Sequence, residues 1–247
     1  MLFLLIGLIV GLIIGMTGAG GALIAIPLFQ ILIHLTVKEA TVLSLITVLL
    51  ASGANLISRW KEIKWKAALG FAIAGTVANF LTVALKDKIS ETIIVGLLVA
   101  LGIISILSVW RSPDLKSERR KTPSIFFVLL AGLLLGFVTT LTGLGGGVLL
   151  IPLLFTLFGL NYEEALPTSL ATIFLISLSA LILQRDRVLE LITFSEIVYV
   201  AIGAIISFVF LKNILSLVSR EKILIIRKYV FILATIISLS IVILKTL

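Results

Sequence analysis

The sequence has no cysteine and a single histidine among its 247 residues, and charged residues make up only 13% of it. The absence of cysteine excludes disulfide bonds and thiol chemistry. A soluble domain carries about 25% charged residues to keep its surface hydrated, so the low charge excludes soluble enzymes, nucleic-acid-binding modules and disordered proteins. With 60% hydrophobic residues and a mean hydropathy of +1.30, the chain is predicted to be an integral protein of a lipid bilayer.

Long segments without charge predict membrane-spanning helices. A helix that crosses the hydrocarbon core needs about 20 apolar residues, and six charge-free runs are close to that length. A β-barrel would show alternating polar and apolar residues, whereas these runs are continuously apolar. The fold class is therefore all-α and polytopic. The spans are predicted near residues 40–58, 66–85, 90–110, 165–184, 195–211 and 224–245.

The two halves of the chain repeat each other. A shift of 125 residues aligns 11–58 with 136–183 without a gap, and 19 of the 48 positions are identical. The match includes glycine, proline, threonine, glutamate and serine, which chance similarity between apolar helices does not produce. Duplication therefore predicts an N-terminal repeat (1–110), a basic cytoplasmic linker (111–123) and a C-terminal inverted repeat (124–247).

Two charge-free stretches, 1–37 and 122–162, are nearly twice the length of one span. A matched Thr-Gly-x-Gly-Gly motif interrupts each of them, which leaves either two short crossings or a re-entrant hairpin. The re-entrant form is favoured because each piece has only about 13–16 residues. Both alternatives give an odd number of crossings per repeat, so the second repeat is expected upside down. Inverted repeats are typical of secondary transporters, whose substrate sites lie near the repeat interface.

The distribution of Lys and Arg predicts the orientation. Cytoplasmic loops carry an excess of these residues, and the side of the linker receives fourteen of them against six on the opposite side. The linker side is therefore predicted to be cytoplasmic. The net charge of +8 is assigned to this topology rather than to a nucleic-acid partner.

The glycine motifs predict a site for an anion. The helix after each motif begins with N–H groups that have no intrahelical partner, and these bind anions together with the helix dipole. The alternative role, close packing of helices on small residues, is less favoured because the whole unit is duplicated. Two inverted copies are expected to point at one central volume.

A polar stripe on the span after each motif is the second candidate feature. Hydroxyls recur at the same repeat positions, although such groups often bond only their own helix backbone. The predicted substrate-binding residues from the motifs and stripes are Thr17, Gly18, Gly20, Gly21, Ser44, Thr47, Thr142, Gly143, Gly145, Gly146, Ser169 and Thr172.

Ionisable groups are nearly absent from the predicted spans. Glu39 and Glu164 recur at helix starts, where a carboxylate favours the dipole, and a structural role is expected for both. Asn79, in the middle of a span, is expected to serve interhelical packing. Without an acidic pair or a histidine cluster, neither a metal site nor a proton-coupling residue is predicted. No catalytic residue and no cofactor are predicted, because a nucleophile–base pair is missing.

These motifs resemble those of the sulfite exporter TauE/SafE family of membrane permeases. The resemblance rests on GMTGAGGALIAIP at 15–27, FVTTLTGLGGGVLLIP at 137–152 and the E-A-x3-S-x2-T segment after each. It implies secondary transport of small anions, such as sulfite, organosulfonates and related organic acids, across the cytoplasmic membrane. A passive anion channel is the alternative. Ala22, where the second repeat has Gly147, implies unequal half-sites.

Overall fold

A computed structural model describes residues 1–17, 21–86, 88–111, 123–144, 147–217 and 220–246. The described residues form α-helices and one short 3-10 turn, Trp60–Glu62. The helices are α1 (Leu2–Thr17), α2 (Gly21–Leu32), α3 (Val37–Leu56), α4 (Trp65–Lys86), α5 (Glu91–Arg111), α6 (Ile125–Thr142), α7 (Gly147–Phe158), α8 (Tyr162–Leu183), α9 (Arg185–Leu191), α10 (Phe194–Leu217) and α11 (Arg220–Thr246).

Among the residues that the structure describes, five helices are long and apolar enough to cross a membrane: α3, α4, α6, α8 and the Phe194–Asn213 part of α10. The prediction of an all-α polytopic membrane protein is confirmed. The predicted spans agree with the observed helices to within a few residues, except that α10 continues past the charge-free run to Leu217. The short helix α9 and the 3-10 turn were not predicted.

The starts of α3 and α8 are capped at equivalent repeat positions. Thr36 and Glu39 form a capping box: Glu39 N–H donates to Thr36 Oγ1 at 3.3 Å, and Thr36 N–H donates to Glu39 Oε2 at 2.8 Å. In the second repeat Asn161 Oδ1 accepts from Glu164 N–H at 2.9 Å. Such side chains satisfy N–H groups that the first turn leaves free. Glu39 therefore has the structural role that its position suggests.

Each long apolar stretch folds as two helices that run in opposite directions. A Cβ added at Gly15 would lie 2.4 Å from Asn55 Oδ1, so the ends of α1 and α3 lie at the same level of the bundle. α2 begins four residues after Thr17 and ends five residues before Val37, at the start of α3. It must therefore run back beside α1, which both a re-entrant hairpin and two short crossings require.

The second hairpin has the same course. Thr140 Oγ1 donates to Asn79 Oδ1 at 2.6 Å, and Asn79 Nδ2 donates to Ser179 Oγ at 2.7 Å. These bonds place the end of α6 at the level of the end of α8. Since α7 connects the end of α6 to the start of α8, it runs back beside α6.

The repeats are interlocked. The first helix of each repeat packs on a long helix of the other, α1 on α10 and α6 on α4, while α3 packs on α8 and α5 on α11. Glycine allows the close approach: a Cβ at Gly7 would lie 2.3 Å from Val200 O, and one at Gly136 would lie 2.1 Å from Gly75 O. Small residues serve this purpose in membrane helices because they let backbones come together.

The central helices α3 and α8 run in opposite directions. Lys64, just after α3, forms an ion pair with Glu164 at the start of α8, with 2.9 Å between Nζ and Oε1. At the other end, Ser44 near the start of α3 lies against Gly143, which follows α6. The two hairpins are therefore attached to opposite ends of the α3–α8 pair.

α2 is fixed to α11 through two of its backbone carbonyls, one of which is freed by the proline in α2. Pro27 has no N–H to donate, so the carbonyl of Leu23 loses its intrahelical partner. The hydroxyl of Ser238 donates to that carbonyl, and Lys245 Nζ donates to the carbonyl of Gln30 one level further on. These contacts show that α2 and α11 run in the same direction.

Candidate functional site

The second glycine break is held closed against α3. Gly143 has a left-handed backbone (φ 67°), and its N–H donates to Thr139 O at 2.8 Å, which ends α6. Ser44 Oγ lies 3.0 Å from Gly143 O and 2.8 Å from Thr41 O. A Cβ at Gly143 would lie 2.0 Å from Ser44 Oγ. Both the backbone conformation and the neighbouring helix therefore require glycine here.

The first break is held closed against α8. The phenol of Tyr162 lies 3.2 Å from Met16 O and 3.4 Å from Thr17 O, at the end of α1. Gly21 begins α2. The predicted site residues Gly18 and Gly20, together with Gly145 and Gly146 of the second motif, lie outside the described residues. The helix end before each break thus lies against a hydroxyl from the third helix of the other repeat.

The two breaks lie at different levels of the bundle. Along α3, Thr41 lies beside Gly143 and Asn55 lies beside Gly15. These two α3 residues are about 21 Å apart at 1.5 Å per residue. The structure therefore brings Ser44 together with Gly143, and it places the described residues Gly15 and Gly143 at different levels; the convergence of the two motifs on one volume stays a prediction.

The four predicted threonine hydroxyls donate to their own helix. The acceptor is in each case the carbonyl four residues earlier. The donor–acceptor distances are 2.6 Å for Thr17, 3.1 Å for Thr47, 2.6 Å for Thr142 and 2.9 Å for Thr172. Their oxygens offer lone pairs, which repel an anion. To donate to an anion, each hydroxyl must give up a bond of about 1 kcal/mol.

The serines of the stripes differ from one another. Ser169 is buried and donates to Leu166 O at 2.8 Å. Ser52 donates to Leu49 O at 3.0 Å. Ser177, at the same repeat position as Ser52, is buried, and its Oγ has no hydrogen-bond partner among the described residues. Ser177 is therefore the hydroxyl of the stripe that is free to donate without losing another bond.

A buried polar cluster joins α4, α6 and α8. Asn79 accepts from Thr140 and donates to Ile176 O at 2.9 Å and to Ser179 Oγ. Thr76 Oγ1 also lies 3.2 Å from Ser179 Oγ. Every polar atom of the Asn79 side chain is used by a neighbouring helix, so this residue serves interhelical packing.

Two cationic features were missed by the sequence analysis. At one end, the guanidinium of Arg227 lies over the ring of Tyr162, with Cζ 5.1 Å from the centroid, and Arg59 is nearby. At the opposite end Lys86 is fully buried, and its Nζ donates to Gln184 Oε1 at 3.1 Å. The interruption of the last apolar run by Arg227 is the signal in the sequence that points to the first of these features.

Comparisons with known proteins agree with this architecture. A sequence model of the family described as sulfite exporter TauE/SafE matches residues 3–241. The probable membrane transporter protein y4hK of Sinorhizobium fredii is 31% identical over 159 residues, which cover 63% of this chain and 64% of that protein. The probable membrane transporter protein YjnA of Bacillus subtilis is 27% identical over 204 residues, covering 74% of this chain and 78% of that protein.

A probable membrane transporter protein of Xylella fastidiosa is 28% identical over 155 residues, covering 60% of this chain and 59% of that protein. The matched part of the chain thus spans about three fifths of the length of the Sinorhizobium and Xylella relatives. No solved structure matches the chain. The family match extends over nearly the whole sequence and includes both glycine motifs, so the chain belongs to the sulfite exporter TauE/SafE family.

Proposed function

We propose that this protein is a secondary transporter of small anions, with sulfite, organosulfonates and related sulfur-containing or organic acid anions as its substrate class. It works by alternating access across the cytoplasmic membrane, as an inverted repeat whose basic linker lies in the cytoplasm. The family match and the names of the relatives support a transporter.

The observation that carries the proposal is a pair of hydroxyl contacts between the repeats, which we call the latches. Tyr162 holds the end of α1, and Ser44 holds the end of α6. The latches lie at opposite ends of the α3–α8 pair and each crosses between repeats. A rocking motion of one repeat against the other opens one latch while the other stays closed, which is what alternating access requires.

The latches also favour an anion. The last carbonyls of a helix carry its negative end and repel an anion. Here the single Tyr162 hydroxyl proton points to the carbonyls of Met16 and Thr17, and the Ser44 hydroxyl lies between Gly143 O and Thr41 O. The first N–H groups of α2 and α7 remain as donors. A site with donors and few free acceptors binds an anion without a lysine or arginine at the membrane centre.

Flux in proteoliposomes tests this function. We expect uptake of labelled sulfite to saturate with concentration and to follow an imposed gradient. Linear, unsaturable conductance would show a channel instead. Gly143→Ala should abolish flux because the Cβ meets Ser44 Oγ and because alanine disfavours positive φ. The matched control is Gly96→Ala on α5, where an added Cβ meets nothing within 4 Å.

Loss of folding must be separated from loss of transport. Gel filtration and a melting curve of each purified variant show whether it is folded. A folded Gly143→Ala protein that transports sulfite at the normal rate would contradict a role of this break in transport.

A further inference from the structure

Side chains from both repeats lie at the end of the bundle that carries the first glycine break. Arg59 follows α3, Tyr162 begins α8 and Arg227 lies on α11. Arg227 stacks on the ring of Tyr162 at 5.1 Å, and the Tyr162 hydroxyl is bonded to the carbonyls of Met16 and Thr17. The cluster is thus attached directly to the end of α1.

The two guanidiniums in this cluster repel each other. Burial lowers the pKa of Arg59, and the charge of Arg227 lowers it further; Glu62, Tyr162 and Glu163 act in the opposite direction. Among the described residues, neither guanidinium has an ion pair within 4.0 Å. Arg227 Nε is buried and has no hydrogen-bond partner among them either. A buried N–H donor without an acceptor costs free energy, and an oxyanion that accepts from Arg227 Nε removes that cost.

We propose that Arg59 and Arg227 form a binding site for a small oxyanion at the end of the bundle that carries the first glycine break. Guanidinium groups bind sulfonate, carboxylate and phosphate oxygens through paired N–H donors. Tyr162 positions Arg227 by a cation–π contact and connects the site to α1. Binding itself is independent of transport. Its role in binding the transported anion next to the first break rests on the proposed function.

The opposite end of the molecule does not have this arrangement. Gln184 stands at the repeat position of Arg59, and its Oε1 accepts from Lys86 at 3.1 Å. A neutral amide there stands in place of the guanidinium, and it accepts a hydrogen bond from Lys86. The paired-arginine site therefore belongs to one end alone among the described residues.

Tryptophan fluorescence of the full-length protein in phosphatidylcholine nanodiscs provides a direct test. Trp60 is adjacent to Arg59 in sequence, and its ring lies 4.7 Å from that of Trp65. Titration with methanesulfonate and with inorganic phosphate gives dissociation constants. We expect Arg227→Gln to raise both constants about tenfold, as for the loss of a charged hydrogen bond. Arg227→Lys keeps the positive charge but lacks the paired N–H donors of the guanidinium, so its dissociation constants should rise less.

Lys61→Gln is the matched control, because it removes a nearby exposed cation that the site does not use. Its dissociation constants should stay within about twofold of wild type, since screening leaves exposed charges with small effects. Equal binding by wild type, Arg227→Gln and Lys61→Gln would overturn the site. An equal loss in both variants would show nonspecific attraction and would also overturn it.

A lipid phosphate is the other source of the same chemistry. The titrations are repeated in nanodiscs that contain phosphatidylglycerol. If Arg227→Gln changes only the response to phosphatidylglycerol, the site takes a lipid headgroup and the assignment to a small anion is wrong. Arg227-dependent binding of methanesulfonate without sulfite flux would support the site and contradict the proposed function instead. A melting curve for each variant shows that it is folded.

Discussion

The first helix of each repeat packs closely on a long helix of the other, and we call these two contacts the α4–α6 joint and the α10–α1 joint. They share a close approach of the backbones but differ in their polar interactions. At both joints a glycine lies against the backbone of the other helix, Gly136 against Gly75 and Gly7 against Val200. The α4–α6 joint adds the hydrogen bond between Asn79 and Thr140. In the other joint Gly15 stands at the repeat position of Thr140, so it cannot make this bond.

The comparison shows which structural features the two joints share and which feature only one of them has. The close backbone approach is common to both joints, whereas the buried polar cluster occurs in one of them. Near the other, Asn55 donates at 2.8 Å to Ala51 O of its own helix. We therefore expect the α4–α6 joint to be rigid and the α10–α1 joint to be the one that yields when the repeats rock.

The largest expected effect comes from removing the feature that both joints share. Gly136→Ala places a Cβ 2.1 Å from Gly75 O and 2.6 Å from its Cα. Backbone atoms cannot rotate away as a side chain can, so we expect a loss of about 3 kcal/mol in the free energy of unfolding. Thermal or denaturant unfolding in detergent measures it. Gly96→Ala is the control, and an equal melting temperature for both variants would refute close packing at this joint.

The second prediction separates the two joints. Asn79→Ala removes bonds to three neighbours on two other helices and should cost about 1.5 kcal/mol, near the upper limit for polar contacts in membrane helices. Asn55→Ala removes a bond within one helix and should cost about 0.5 kcal/mol or less. The difference in unfolding free energy is the measurement. Equal costs would mean that the polar cluster does not distinguish the joints.

The third prediction concerns the latches. Tyr162→Phe removes the hydroxyl that bonds Met16 and Thr17 but keeps the ring under Arg227. We expect a loss of about 1 kcal/mol and easier opening at the first break. Ser44→Ala removes the equivalent hydroxyl at the second break and should ease opening at the opposite side. Access of water-soluble reagents to each break tests this, and the same shift in both variants would argue against opposed latches.

The smallest effect is expected at the ion pair of Lys64 with Glu164. The Lys64 side chain is 39% exposed, and pairs of this kind contribute about 0.5 kcal/mol. A double-mutant cycle with Lys64→Gln and Glu164→Gln should give this coupling and lose it in high salt. Glu39→Gln should change stability still less, because glutamine keeps the capping box. A coupling above about 2 kcal/mol would contradict the partly exposed geometry.

Much of the fold is readable from the sequence because it depends on local signals. Charge-free runs locate the spans, the glycine motifs locate the breaks, and a cap followed by glutamate at the third helical position locates the starts of α3 and α8. These features depend on neighbours within a few residues, and the duplication makes each of them visible twice.

The level and partners of each break depend on contacts between distant parts of the chain. The sequence does not indicate that α1 packs on α10, more than 180 residues away. The pairing of Ser44 with Gly143 and the cluster of Arg59, Tyr162 and Arg227 likewise join residues from different repeats. Periodicity and composition contain no information on such contacts.

The central claim is that the two glycine breaks are exposed in turn to opposite sides of the membrane. The natural chain has no cysteine, so Ser44→Cys and Ser169→Cys each provide a single labelling position. Both serines are fully buried in this conformation. Labelling with a membrane-impermeant thiol reagent from one side at a time, with and without methanesulfonate, is the most direct measurement. We predict that Ser169→Cys reacts only from the cytoplasmic side and Ser44→Cys only from the other, with the anion changing both rates. Reaction of both positions from the same side would contradict alternating access.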